Sequence, residues 1–270
     1  MANVYAMLRH PKILGKSDKI IWLISYMPVF LSIRLESVVS PLRRLPHSRL
    51  HLIKRPLTYY CKCGYKFAAS PSEWEMFQDH YEAHVYEACL QRLNANSVVF
   101  DVGAHIGYYT IHFAKFVKTV VAIEPSPRNV RLLRKNLVLN GVSNVYVVDA
   151  AVSTMPGPVT FYSSYNTTWG SIQVVPPAYS GQLRVPAVRL DDLIKRFGYH
   201  SVDLIKIDVE GAEHIVLESL GSYLSPLAVR TFVIEVWNMN KKRVKQLLRR
   251  YTTCINLGRG PGCEDILFEA

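Results

Sequence analysis

Asp101, Glu124 and Asp149 each stand at the end of an apolar run: Ser97-Val98-Val99-Phe100, Thr119-Val120-Val121-Ala122-Ile123 and Val145-Tyr146-Val147-Val148. Carboxylates at successive strand ends can line one crevice, because an open α/β sheet binds its ligands outside the carboxyl ends of its strands. Asp101 opens Asp101-Val102-Gly103-Ala104-His105-Ile106-Gly107 and occupies the place where a dinucleotide fingerprint has its first glycine. There a carboxylate repels a pyrophosphate and suits a ligand with an amino group. Glu124 follows the glycines by about twenty residues, the separation at which an acid accepts both hydroxyls of a ribose. A further acid-rich run, Lys206-Ile207-Asp208-Val209-Glu210-Gly211-Ala212-Glu213, supplies carboxylates able to take a proton from a substrate.

These groups need a strand, a glycine turn and a helix to position them. Gly103 permits a bend closed to residues with a Cβ, and Gly107 lets the next helix start tight against the sheet. Helix–strand packing alone also accounts for Ala104 and Gly107. Pro125 stops the second strand, and Ser126 as N-cap with Pro127 at the first helical position opens a helix through Val130, Leu133 and Leu137. Further strands are predicted over residues 204–207 and 231–234, a basic helix over 241–251, and a final strand pair over 252–257 and 264–268. Residues 154–186 read as an inserted loop with one strand at 159–162 and the polar segment Asn166-Thr167-Thr168-Trp169-Gly170-Ser171. Loops over strand ends commonly select substrates. Residues 59–67 read as a hairpin about Gly64.

In order, D-V-G-A-H-I-G-Y-Y-T at 101–110, I-E-P-S-P at 123–127, N-L-V-L-N at 136–140, D-A-A-V at 149–152, V-x-x-x-x-L-D-D-L at 185–193 and K-I-D-V-E-G-A-E at 206–213 resemble the FkbM family of class I S-adenosylmethionine-dependent methyltransferases. The resemblance spans roughly residues 60–270. It implies a Rossmann-like α/β fold with a seven-stranded, mostly parallel sheet and an antiparallel last strand. It also implies S-adenosylmethionine as methyl donor, with Asp101, Gly103, Ala104 and Gly107 bordering its methionine part, Glu124 holding the ribose, and Asp149 and Ala150 beside the adenine. The implied acceptor is a hydroxyl on a sugar, glycolipid or other small metabolite. An alcohol must lose its proton during transfer; Asp208, facing the methionine end or the reacting methyl, is the first candidate base. Glu210, His105 and Glu235 follow, although His105 also suits capping of the turn. No metal signature is present, since Asp208 and Glu210 alternate on a strand and reach one ion only if the strand has turned.

Residues 1–58 form a basic extension expected to be helical, 59–96 a hairpin and helix leading inward, and 97–270 the methyltransferase domain. The net charge of +11 is concentrated early: residues 1–66 hold 12 Lys or Arg against Asp18 and Glu36. An apolar stretch at 20–33 is interrupted by Pro28 and is too short for a bilayer span of about twenty residues, and no small-residue cleavage site follows it. The extension therefore either packs on the catalytic domain or, through residues 1–55, rests on anionic lipid or an acidic partner. Nucleic acid is disfavoured for want of a recognisable motif. Five cysteines, an odd number, argue against a disulfide framework and for the reducing cytoplasm, with a peripheral membrane contact left open. Cys61, Cys63, His80 and His84 allow a zinc reading, but C-x-C is an unusual half-site. A non-catalytic scaffold binding membrane or partner through the basic extension is the alternative function; a dehydrogenase is disfavoured by Asp101.

Overall fold

The computed structural model describes residues 12–13, 56–61, 64–70, 73, 76–77, 81–164, 169–176, 179–260 and 262–270. Most of the basic extension, Cys63 and His80 of the zinc reading, and Asn166-Thr167-Thr168 lie outside the described residues. Two compact units divide the chain, one comprising residues 1–81 with 165–167, the other 82–164 with 168–270.

In the first unit, β1 (Lys12–Ile13), β2 (Leu57–Tyr60) and β3 (Lys66–Ala69) form an antiparallel sheet. The described residues of the segment expected to be helical are thus strand. Gly64, at φ +90°, turns the expected hairpin, and the rings of Tyr59 and Phe67 lie 5.1 and 5.2 Å from that of Phe77. Cys61 is disulfide-bonded, which removes it as a thiolate for zinc and departs from the expectation of reduced cysteines. Cys89, Cys254 and Cys263 are free thiols.

The second unit begins with α1 (Ala83–Leu90) and continues through β4 (Val98–Val102), α2 (Tyr108–Ala114), β5 (Thr119–Ile123), α3 (Pro127–Leu139), β6 (Val145–Val148) and β7 (Ala151–Val152). Then come β8 (Gly157–Ser164), β9 (Gly170–Ser171), β10 (Tyr179–Val188), α4 (Leu190–Arg196), β11 (Val202–Ile207), α5 (Glu213–Glu218), β12 (Val229–Trp237), α6 (Lys241–Leu247), β13 (Thr253–Gly260) and β14 (Cys263–Glu269). Seven strands form one sheet in the order β13-β14-β12-β11-β4-β5-β6. The pairs from β12 through β6 are parallel, and β14 runs antiparallel to β12 and β13, the architecture expected. Every residue of β4 and β5 is buried, as continuous apolar runs covered on both faces must be. The core holds Phe100, Ile205, Leu217 and Phe232, all fully buried. Ser126 caps α3 by accepting from the Asn129 N–H, with Pro127 at its first position.

The strand expected over 159–162 lies within β8, but the rest of the insertion departs from expectation. Residues read as loop build a second sheet, β7-β10-β8-β9, in which β10 pairs along its length with β8 and joins β7 in parallel. Phe161, Val185 and Ala187 form its small core with Ala151. The helix at the end of the chain is also shorter than predicted, closing at Leu247.

Candidate functional site

The glycine turn is held by the neighbouring strand. The N–H groups of Gly103 and Ala104 both donate to the Ile123 carbonyl, at 2.9 and 3.1 Å, and His105, at φ +52°, donates its N–H to Glu124 Oε2 at 2.9 Å. The other Glu124 oxygen accepts from the Ser126 N–H at 2.9 Å and from Asn129 Nδ2 at 3.3 Å. Glu124 is therefore a buried clasp between the turn and the start of α3. Burial pushes its carboxyl upward, against the stabilising influence of His105 and these donors. A carboxylate offers about four acceptor sites, and these three donors leave one, on Oε2, for a ligand hydroxyl. Gly107, at φ +91°, meets α3: a Cβ there would lie 2.4 Å from Leu133 Cδ1. Its demand is packing between α2 and α3.

Asp101 is 1% exposed; Oδ2 accepts from the Thr110 hydroxyl, whereas Oδ1 has no partner among the described residues. A buried carboxylate oxygen without a donor is costly, and a ligand ammonium would satisfy it. Asp101, the backbone approach at Gly103 and Glu124 thus fit a ligand carrying an amino group at one end and a ribose farther along.

The second acid run meets the first by backbone contact. A Cβ on Gly103, at φ +85°, would fall 1.8 Å from the Asp208 carbonyl oxygen, and the Asp208 N–H donates to the Val102 carbonyl. After β11 the chain turns through Glu210 at φ +53° and Gly211 at φ +96°. Glu213, fully buried, clamps this turn: Oε1 accepts from the Gly211 N–H at 2.7 Å and Oε2 from Asn240 Nδ2 at 2.6 Å, while Asn240 also donates to the Gly211 carbonyl. The turn brings carboxylate oxygens of Asp208, Glu210 and Glu235 within 4.8 Å of one another. Lys206, 5% exposed, sets its ammonium 3.1 Å from Asp208 Oδ2 and 4.4 Å from the centre of the Tyr109 ring, whose hydroxyl donates to Glu82 Oε2 at 2.6 Å.

Charge is divided unequally among these groups. Burial first, then the Asp208 charge, pushes the Glu210 carboxyl far above the carboxylate range; the Asp208 charge first, then burial, does the same for Glu235. Burial works against the ammonium of Lys206, but Asp208, Asp101 and Glu82 outweigh it and raise its pKa. Asp208 is thus committed to a lysine, and Glu210 and Glu235 are carboxylates held above their ordinary range. A divalent ion at this trio would face a buried ammonium, so the arrangement suits a shared proton better than a metal.

A carboxyl with a raised folded pKa binds its proton more tightly folded than unfolded. Stability should therefore fall as pH rises from the ordinary carboxylate range through the raised values of Glu210 and Glu235. The ligand-free protein is expected to melt on the order of 5 °C lower at mildly alkaline than at mildly acidic pH. In Glu235→Gln that slope should shrink, as differential scanning calorimetry would register; an unchanged slope would assign it to other groups.

Asp149 and Ala150 follow β6 as expected for an adenine-side pair. Ala150 is buried, but Asp149 is exposed and pairs with Arg134 of α3 at 2.7 Å, a surface contact worth about 0–1 kcal/mol and easily given up. Trp169, partly exposed, meets Trp237 at the end of β12 edge-on, with ring centres 5.8 Å apart, and a Cβ at Gly211 would lie 3.8 Å from Trp237. Sequence reasoning missed Lys206, Tyr109 and Asn240 as site residues. The alternation of Lys206 and Asp208 across one strand was the available signal for the lysine.

A family model described as a methyltransferase FkbM domain matches residues 101–252, more than half of the chain. The methyltransferase SdnD of Sordaria araneosa is 26% identical over 197 residues, covering 60% of this chain and 74% of that protein. The 31-O-demethyl-FK506 methyltransferase FkbM of Streptomyces tacrolimicus is 29% identical over 198 residues, 62% of this chain and 74% of that one. The hexuronic acid methyltransferase AglP of Haloferax volcanii is 24% identical over 176 residues, 65% and 71% of the two chains.

Proposed function

Because the chain belongs to the FkbM methyltransferase family, and so draws its methyl group from S-adenosylmethionine, we propose that it O-methylates a hydroxyl of a sugar, glycolipid or other small metabolite. The observation that carries this reading is the basic carboxylate pair, Glu210 with Glu235, beside an Asp208 already engaged by Lys206. An alcohol gives up its proton only as the transfer occurs, and Glu210 and Glu235, held above the ordinary carboxylate range by burial and by the Asp208 charge, bind that proton more strongly than an ordinary carboxylate whenever one of them is ionised. When bound, S-adenosylmethionine supplies a methyl carbon on a sulfonium and leaves as a neutral thioether. The chain's own part is to align the acceptor oxygen with that carbon, exclude water and take the hydroxyl proton. One carboxylate of the pair takes it as the oxygen–carbon bond forms and the carbon–sulfur bond breaks.

Two of the named relatives support the acceptor class, one a 31-O-demethyl-FK506 methyltransferase and one a hexuronic acid methyltransferase. Trp169 and Trp237 near Gly211 offer aromatic faces on which a sugar's C–H groups can lie. Among the described residues no helix is long and apolar enough to cross a membrane. A lipid-linked acceptor would therefore meet the described part of the chain at a surface.

The reading is tested with S-adenosylmethionine labelled in its methyl group, a cell extract as acceptor source, and mass spectrometry of the labelled product. A labelled O-methyl ether is expected; label on nitrogen or carbon would sink the hydroxyl assignment. Once the acceptor is in hand, Glu235→Gln should lower turnover about 100-fold while leaving S-adenosylhomocysteine affinity within about threefold by calorimetry. An equal loss in both would make Glu235 a binding group.

A further inference from the structure

Lys206 is expensive where it stands. An ammonium 5% exposed on the central strand β11 loses most of its hydration, and an apolar residue would fill the same space without that cost. Its contacts are specific, Asp208 Oδ2 at 3.1 Å and the Tyr109 ring at 4.4 Å, and across the strand pair Asp101 stands directly opposite in register, where the two charges act on each other. Tyr109 is itself fixed by its hydrogen bond to Glu82, so the ring that seats the ammonium cannot swing away without breaking a second contact. Opposite Lys206 in register stands Asp101, whose Oδ1 has no partner among the described residues.

We propose that Lys206 is the positioning residue for the amino-acid half of the methyl donor: seated between the Tyr109 ring and Asp208, its ammonium keeps the neighbouring Asp101 a carboxylate, whose unpartnered Oδ1 then accepts the donor's α-ammonium. The inference rests on the reading of the glycine-turn crevice as the S-adenosylmethionine site. Asp101 and Asp208 are two acids at adjoining strand ends, and burial opposes the charge on Asp101. Without the Lys206 cation, burial and the Asp208 charge favour the protonated form of Asp101, and a protonated Asp101 donates where it should accept. Lys206 acts through Asp101, without touching the ligand.

Calorimetry with two probes separates this role from general support of the fold. S-Adenosylhomocysteine carries the amino-acid part; 5′-methylthioadenosine has the same adenosine and lacks it. Lys206→Met should weaken S-adenosylhomocysteine at least about tenfold, the loss of one charge-assisted hydrogen bond, and leave methylthioadenosine within about twofold. Lys206→Arg, which retains the charge, should restore binding. Asp101→Asn should show the same selective loss, and Asp101→Asn combined with Lys206→Met should lose no more than Asp101→Asn alone, since one residue works through the other. If Lys206→Met does not fold, Lys206→Gln carries the comparison. Unchanged S-adenosylhomocysteine binding, a parallel loss of both probes, failure of arginine to rescue, or additive losses in the double variant would each overturn the proposal. Failure of the wild-type chain to bind either probe would instead overturn the cofactor reading beneath it.

Discussion

Gly103→Ala is expected to yield a chain that does not keep its fold. At φ +85° the backbone is in a region that residues with a Cβ rarely adopt, and the added carbon would sit 1.8 Å from the carbonyl oxygen and 2.8 Å from the carbonyl carbon of Asp208. Neither obstacle is a side chain that can rotate aside. Both belong to the end of β11, whose register against β4 is fixed by the pairing of Ile207 with Val102 and by the Asp208 N–H bonded to the Val102 carbonyl. Relief requires parting two central strands at the site itself. The cost should exceed about 4 kcal/mol, the range reached when strain and lost packing combine. Gly141→Ala is the control: its φ is also positive, at +61°, but nothing lies within 4 Å of the added carbon, and it should cost about 1 kcal/mol. Gly107→Ala should fall between, because the atom it meets is the movable end of Leu133. Circular dichroism melts of the three variants would check the order. A Gly103→Ala protein melting beside the wild type would mean that the two turns do not touch.

That contact marks the boundary of what the chain discloses in one dimension. Asp101, Gly103 and Glu124 were legible because their jobs are local: a strand end, a bend, and an acid one crossover later. The capped start of α3 was legible for the same reason, since Ser126 and Pro127 act within one turn of themselves. Which acid is basic was not legible. Asp208 was the natural candidate by position, but Lys206 two residues earlier claims it, and Glu210 gains basicity from burial, then from the charges of Asp208 and of Glu235 in β12. Such assignments depend on distances that only the folded sheet creates. The Glu213 clamp needs Asn240, 27 residues away, and no spacing rule connects them. The insertion misled for a different reason. β10 carries Gly181 and Pro186, which read as loop, yet it pairs as an inner strand between β7 and β8 with a register shift near Gly181, where tertiary pairing overrides local preference.

Glu124→Ala should remove donor binding more completely than any other single change in the crevice. Under the ribose assignment the carboxylate's remaining acceptor site takes a ribose hydroxyl, and the loss of one hydrogen bond to a charged group corresponds to about ten- to hundredfold in affinity. The same substitution also strips acceptors from the His105, Ser126 and Asn129 donors, so the turn that shapes the amino-acid end loses its clasp as well. Both halves of the ligand should suffer: S-adenosylhomocysteine and methylthioadenosine are expected to weaken together, in contrast to the selective loss at Lys206. A purely structural clasp predicts something different. In that case Asn129→Ala, which removes one donor from Glu124 without touching the carboxylate, would reproduce much of the effect in proportion to its drop in melting temperature. If Glu124 holds the ribose, Asn129→Ala should cost less than about tenfold in either probe, while Glu124→Gln, with one oxygen exchanged for a donor, should stay near the alanine variant. Glutamine that binds both probes as the wild type does would show that neither the charge nor the second oxygen faces the ligand, and the acid would then belong to the architecture of the turn alone.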